Sequence, residues 1–189
     1  MAHTKSDNSA RRIGVVATRI AGTDGVSLEI EKWVDVFERE GFECFYFAGE
    51  LDRPAARSYT VPQAHFTHPE VQKIYRHCFD VEIRDRNVTD RLHGIKNQLK
   101  DKLADFVAHF DIGLLLVENA LTIPLNLPLG VALTEFIMET GIRTIAHHHD
   151  FYWERDRFTN NAVGDYLSMA FPPNLPSMRH VVINSHAGT

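Results

Sequence analysis

Short apolar, β-branched runs alternate along this chain with longer stretches in which apolar residues recur every three or four positions. "RRIGVVAT" (11–18) reads as a buried strand. A turn with two glycines, "RIAGTDGVS" (19–27), follows. In "SLEIEKWVDVFEREG" (27–41), Leu28, Ile30, Trp33, Val34 and Phe37 form one broad apolar face. That spacing predicts a helix with Ser27 as its N-cap and Gly41 as its stop. "FECFYFAGE" (42–50) is a second strand, so the opening of the chain spells strand, glycine turn, helix, strand. This is the βαβ unit of a parallel sheet.

The pattern is weaker over 51–89, where a short extended piece precedes a helix from about Pro69. It sharpens in "DRLHGIKNQLKDKLADFVAHF" (90–110), where Leu92, Ile95, Leu99, Leu103, Phe106 and Val107 repeat at helical spacing. "DIGLLLVEN" (111–119) is a strand. "LPLGVALTEFIMETG" (127–141) is a helix with Asn126 as cap, Pro128 in its first turn and Gly141 as its stop. "IRTIAHHH" (142–149) and "HVVINS" (180–185) are further strands, and a short helix in 161–173 ends at two prolines. Strands that alternate with helices predict a doubly wound parallel α/β sheet.

Composition narrows the class. The chain has 189 residues, 44% hydrophobic and 24% charged, enough for one sizeable core. With 20 basic against 25 acidic residues the net charge is −5, and no nucleic-acid footprint is indicated. Cys44 and Cys78 form no C-x-x-C pair, so reduced thiols are expected rather than a disulfide framework. Residues 1–10 read as a disordered polar lead without the apolar stretch of a signal peptide. No window is apolar enough to span a membrane, and a cytoplasmic protein is expected.

The polar clusters fall at the predicted strand ends: Arg19–Gly25, Glu50–Arg53, Glu118–Asn119, His147–Asp150 and Asn184–Ser185. Ligands of open α/β sheets bind outside those carboxyl ends, at a switch in strand order. "AGTDGVS" is not a G-x-G-x-x-G fingerprint. Gly22 and Gly25 either let an anion approach the following helix N-terminus or simply serve a turn. In "HHHD", alternation puts His147 and His149 on one side and His148 on the other. Three readings stand for this run. One is a metal site, with His65, His68, Glu118 or Asp150 as conceivable further ligands, although no spacing matches a zinc signature. A second is polar residues at a solvent-facing strand end. The third is recognition of a hydroxyl-rich ligand, since a neutral imidazole both donates and accepts. "DFYWERDRF" adds Trp153 and Arg155, which suit either a sugar platform or packing beneath a loop. Glu118 is a base, a hydroxyl binder or a cap for the next turn. No G-x-S-x-G elbow, P-loop or activated cysteine is present.

Taken in order, from "RRIGVVATRIAGTDGVSLEIEKWVDVFEREGFECFYFAGE" through "IRTIAHHHDFYWERDRF" to "RHVVINS", the chain resembles the N-terminal, acceptor-side domain of a GT-B glycosyltransferase of the retaining family 4 kind. The resemblance implies a Rossmann-like domain over 11–189 that forms one half of a two-domain enzyme. It further implies a nucleotide-sugar donor, a small or glycoside acceptor, no cofactor and no bound metal. It places Gly22 and Gly25 near the donor phosphates, although Gly-Thr-Asp-Gly departs from the family's adjacent glycine pair. It makes His149 the best match to the histidine that aligns the reacting centre, with His147 and His148 as alternatives. Glu118, Asn119, Asp150, Trp153, Arg155 and Arg19 are the remaining candidate substrate contacts.

The donor-side groups of that family lie in a C-terminal domain, in cis or in trans. The chain closes on "INSHAGT", which reads as the point where a second domain begins, so one wall of the cleft is expected to be inactive alone. An apolar face left bare there leaves homodimerisation open. Arg19, Arg155 and Arg157 suggest an anionic acceptor, such as a sugar phosphate or a carboxylate. Two other classes compete: a non-catalytic module for a polar or phosphorylated ligand, and a metal-dependent hydrolase built on the histidine run.

Overall fold

In the computed structural model, which describes residues 11–183, the alternation of the sequence becomes one sheet of six parallel strands. They are β1 (Arg12–Val16), β2 (Glu43–Ala48), β3 (Ser58–Thr60), β4 (Leu114–Glu118), β5 (Arg143–His148) and β6 (Met178–Val182), in the order β3-β2-β1-β4-β5-β6. The chain runs outward from β1 to β3, returns to β4 beside β1, and then runs outward the other way. The reversal leaves a crevice between the carboxyl ends of β1 and β4. Residues 1–10 and the end of "VVINS", Asn184 and Ser185, lie outside the described residues.

Strands β1, β2 and β4 are apolar on both faces because helices cover both. Period-two alternation sends Ile13 and Val15 of β1, with Leu116 of β4, toward α1 (Gly25–Arg39), where Ile30, Trp33, Val34 and Phe37 receive them. Val16, Leu115 and Val117 face the other way. They pack on Leu99, Leu103 and Phe106 of α3 (Arg86–Phe110) and on Leu133 and Ile137 of α4 (Leu127–Thr140). Helix α4 is buried almost all round, held between the sheet, α3 and α5 (Gly164–Ala170). A third apolar cluster joins α2 (Pro69–Arg76) to α5 through Ile74, Phe79, Phe158 and Phe171. This is the doubly wound, Rossmann-like arrangement that the alternation predicts.

The expected stops are where the sequence puts them. Gly41 and Gly141 hold φ of 82° and 65°, and the Gly141 N–H closes on the Ile137 carbonyl at 2.9 Å. Asn126 caps α4, its side chain accepting from the Leu129 N–H. The extended piece in 51–89 is β3, and the helix from Pro69 is α2.

Several boundaries differ. Helix α1 starts at Gly25, and its N-cap is Asp24, not Ser27. The Asp24 carboxylate accepts from the Val26 and Ser27 N–H groups at 3.0 Å each. Ser27 is fully buried, and its hydroxyl exchanges bonds with the Ala21 backbone at 3.1 and 3.2 Å. Helix α3 begins at Arg86, capped by Asp85, one turn before the apolar repeat becomes regular. Strand β5 stops at His148, so His149 lies just beyond the sheet. Both cysteines are buried free thiols. Among the described residues no helix is long and apolar enough to cross a membrane.

Candidate functional site

At the crevice between β1 and β4 the structure has a cleft of about 250 Å³, with Thr18, Arg19, Asp24, Phe66, Glu118 and Asn119 in its wall. These side chains come from the turn after β1, the loop before α2 and the end of β4. The sequence is polar there because the strands have left the core.

On one side of the cleft the groups form a charged chain. The Arg19 guanidinium donates to Asp24 at 2.6 Å and to Glu50 at 2.9 Å, and the His65 ring meets the same Glu50 oxygen at 3.2 Å. The Arg19 hydrogen bond holds the Glu50 carboxyl below the usual range. Burial disfavours the Asp24 carboxylate, but hydrogen bonds from Ser27 and Val26 and the charge of Arg19 outweigh it and lower its pKa. Gly22 takes φ of 69°, and its N–H donates to Asp52 at 2.6 Å. The Gly22 N–H and the first N–H groups of α1, those of Val26 and Ser27, are therefore engaged by two carboxylates, Asp52 and Asp24. An approaching phosphate has to displace them.

On the other side the structure brings Glu118, His147 and His149 together. Strand register sets Glu118 of β4 directly against His147 of β5. The Glu118 side chain is wholly buried, and its Oε1 lies 2.8 Å from His147 Nδ1 and 2.6 Å from His149 Nε2. Its other oxygen, Oε2, is buried and has no hydrogen-bond partner among the described residues. Hydrogen bonding to Glu118 raises the His149 pKa against the opposing effect of burial. The Trp33 indole N–H points at His147 Nδ1 from 3.1 Å. One imidazole nitrogen cannot both accept from the indole and donate to the carboxylate. Asn119 holds the turn that follows, with φ of 55°, its N–H on the His147 carbonyl and its side-chain oxygen accepting from Thr122.

The other expected residues are placed as follows. His148 points to the opposite side of the sheet from its two neighbours, buried, with Nε2 2.8 Å from His180 Nδ1. Burial pushes its pKa down to about 3, so it is a neutral packing group. Asp150 forms an ion pair with Arg155 beyond the end of β5. Trp153 is 58% exposed and stacks on Phe151 at 4.5 Å, leaving an aromatic surface open to solvent. Arg157 lies over the Phe158 ring in a separate surface cleft, away from Arg19. His68 precedes α2, and Gly25 opens α1 with nothing near the position of a Cβ.

Reading by sequence missed Trp33 and His180 as members of these groups, and it placed Asp52 in the cluster Glu50–Arg53 without its Gly22 partner. Trp33 falls on the apolar face of α1 and reads as core. Its indole N–H, which needs an acceptor when buried, was the available signal. His180 had none, and the Gly22 partner of Asp52 was hidden likewise, because these partners are 32 and 30 residues away. The assembled rim combines carboxylates, imidazoles, an amide and one guanidinium, a donor and acceptor set suited to a hydroxyl-rich ligand.

No family model matches the chain. It is 30% identical over 184 residues to the mannosylglucosylglycerate synthase of Petrotoga mobilis. It is 31% identical over 182 residues to the mannosylglucosylglycerate synthase of Thermotoga maritima. This chain is similar to one part of a glycosyltransferase. The matched region takes in 93% of the chain, yet the chain spans only 40% of the length of each relative.

Proposed function

We propose that this chain is the N-terminal, acceptor-side domain of a retaining GT-B glycosyltransferase of the family 4 kind, transferring a sugar from a nucleotide-sugar to a small glycoside. The observation that carries the reading is the cleft at the β1/β4 crevice, which sets Arg19, Asp24, Glu118 and Asn119 beside the apolar Phe66 and Ile123 at the place where an open parallel sheet binds its ligand. The relatives support it, and their length leaves room for a second domain that would hold the donor. In this reading His149 contacts the reacting sugar, and Glu118 holds its ring in place through the 2.6 Å contact. Asn119, Asp24 and Arg19 line the acceptor side. The exposed face of Trp153, beside Asp150 and Arg155, stacks against a sugar ring.

The relatives' name describes a product containing a mannosyl unit, a glucosyl unit and glycerate, so the acceptor proposed for this chain is a glycoside that carries a carboxylate. Arg19 is the cleft's cation. Its guanidinium offers five donors, and two already serve Asp24 and Glu50. The leaving diphosphate would be stabilised from a second domain outside these 189 residues, so these residues by themselves bind acceptor but complete no transfer.

The test has two parts. Calorimetric titration with glucosylglycerate should show binding, weakened about tenfold or more in Arg19→Gln, the loss of one charged contact. Neutral glucosylglycerol should be less affected by that change. Incubation with a panel of UDP-, GDP- and ADP-hexoses should give no transferred sugar. Absence of acceptor binding would overturn the acceptor-side assignment, and transfer by this chain alone would overturn the half-site mechanism.

A further inference from the structure

We propose that His65 is a positioning residue that makes the cleft selective for an anionic acceptor. It holds Glu50, Glu50 holds the Arg19 guanidinium, and the remaining nitrogen of Arg19 is left to meet the acceptor's carboxylate. The selectivity rests on the acceptor-side reading above, whereas the placement of Arg19 does not.

The contacts start from a loop that is held at several points. Residues 61–68, between β3 and α2, pass over the end of β2, where the Val61 N–H donates to the Ala48 carbonyl at 2.9 Å. The His65 backbone sits directly against Gly49, which has no room for a Cβ. Asn126, buried at the start of α4, donates to the Gln63 and Ala64 carbonyls at 2.9 Å each. The loop is therefore tied to the sheet and to α4 immediately before His65. The ring is fixed in tautomer as well as in place. Its Nδ1 accepts from the Thr67 backbone N–H at 3.0 Å, and the Thr67 hydroxyl oxygen lies 2.8 Å from the same atom. A backbone N–H can only donate, so the ring proton is on Nε2. That N–H faces Glu50 Oε2 at 3.2 Å. The ring also stacks on Phe66, with centroids 4.7 Å apart, and Phe66 stands in the cleft wall.

Glu50 needs such a hold. Its side chain is half exposed, and an ion pair in that setting is weak because both side chains lose freedom to make it. A donor on a fixed ring removes part of that cost in advance. Glu50 Oε2 then receives the Arg19 Nε–H at 2.9 Å, while Asp24 accepts from Nη1 at 2.6 Å. Arg19 Nη2 makes no hydrogen bond among the described residues and lies beside Gly22, 3.5 Å from where a Cβ would stand. With Nε and Nη1 anchored, the planar guanidinium has one orientation, and its Nη2 donors are left for a ligand oxygen. A carboxylate gains more than a hydroxyl from a cation held in this way, because its hydrogen bond is charged at both ends. Loss of the His65 donor should thus weaken an anionic acceptor more than a neutral one.

The experiment compares two variants of the chain. His65→Phe keeps a ring beside Phe66 but has no donor, and His65→Gln supplies an amide N–H at a reach similar to Nε2. Glucosylglycerate and glucosylglycerol are titrated into each by calorimetry, with far-UV circular dichroism as the check on folding. The expected result is a preference for glucosylglycerate that falls about threefold in His65→Phe, with glucosylglycerol affinity unchanged, and that returns in His65→Gln. A second measurement needs no ligand. Nitrogen-15 spectra should show the His65 proton on Nε2, and the Arg19 Nε–H should exchange with solvent about threefold faster in His65→Phe than in wild type. A preference unchanged in His65→Phe would overturn the proposal. So would an equal loss for both ligands in both variants, which marks a merely structural role. If wild type binds neither ligand, the acceptor-side reading fails and the selectivity with it. The exchange of the Arg19 Nε–H then decides the positioning alone, and an unchanged rate in His65→Phe would overturn that too.

Discussion

At Gly49, just past the end of β2, a Cβ would lie 2.1 Å from the backbone nitrogen of His65 and 2.3 Å from its Cβ. Backbone cannot swing aside as a side-chain tip can. Gly49→Ala should therefore destabilise by about 3 kcal/mol, the upper range for overpacking, measured by urea unfolding. A loss below about 0.5 kcal/mol would mean that the loop carrying His65 yields freely. Asp24→Ala should cost about 1 kcal/mol as a lost helix cap, and it also leaves Arg19 with Glu50 alone. Burial raises the thiols of Cys44 and Cys78 to about 12 and about 11, so neither should react with a disulfide reagent until the chain unfolds. Labelling of either in the native protein would contradict that. None of this was legible at single-residue resolution. "TDGVS" contains three residue types that cap helices, and only burial distinguishes Asp24 from Ser27. Gly49 reads as an ordinary strand-end glycine until the loop above it is known.

Elements were far more legible than their ends. Strands β1, β2 and β4 are runs of mostly apolar residues buried on both faces, and α1 and the body of α3 carry a clear apolar stripe, so type and order follow from local pattern. The first turn of α3 was hidden because "RDRNVT" is nearly all polar, and a cap rather than packing sets its start. That turn is also held by tertiary charge. Arg84 forms two hydrogen bonds of 2.8 Å to Asp165 of α5 and lies 4.7 Å from the centre of the Tyr166 ring. The Arg84 hydrogen bonds lower the Asp165 pKa below its ordinary 3.8. A carboxyl whose folded pKa is depressed contributes stability above its unfolded value and loses it as pH falls through the folded one. The stability difference between wild type and Asp165→Asn should thus be full at pH 7 and shrink as pH falls below 3.8. Urea unfolding at pH 7 and at about pH 2.5 checks this, and an equal difference at both would refute it. The effect is small because Asp165 is more than half exposed.

At the scale of the molecule, alternation predicted a parallel sheet but not the order β3-β2-β1-β4-β5-β6, since strand neighbours are set by long-range pairing. Polar clusters at strand ends were visible in sequence. That four of them become two facing groups, Arg19–Asp24–Glu50–His65 and Glu118–His147–His149, follows from β1 and β4 lying side by side. The histidine run shows the same division. Alternation along the strand separates His148 from its neighbours, whereas the carboxylate that gathers the other two is 29 and 31 residues away. Neutralising Glu50 on the first rim should therefore change how Arg19 is held toward a ligand in the cleft. Glucosylglycerate affinity measured in Glu50→Gln tests this, with a change of about threefold or more expected as Arg19 loses one partner. An unchanged affinity would show that Arg19 does not rely on Glu50 for its position.

The placement of Trp33 has an optical consequence. The chain has two tryptophans, and they sit in opposite settings: Trp33 half-buried with its N–H at His147, and Trp153 largely in water. Solvent relaxation shifts the emission of an exposed indole to longer wavelength, while an adjacent imidazole quenches a buried one. Trp33 should therefore contribute a weak blue component and Trp153 a brighter red one, separable by Trp153→Phe. Any ligand that draws His147 away from the indole should brighten the blue component alone, making the intrinsic glow of the protein a label-free gauge of occupancy at the end of β5.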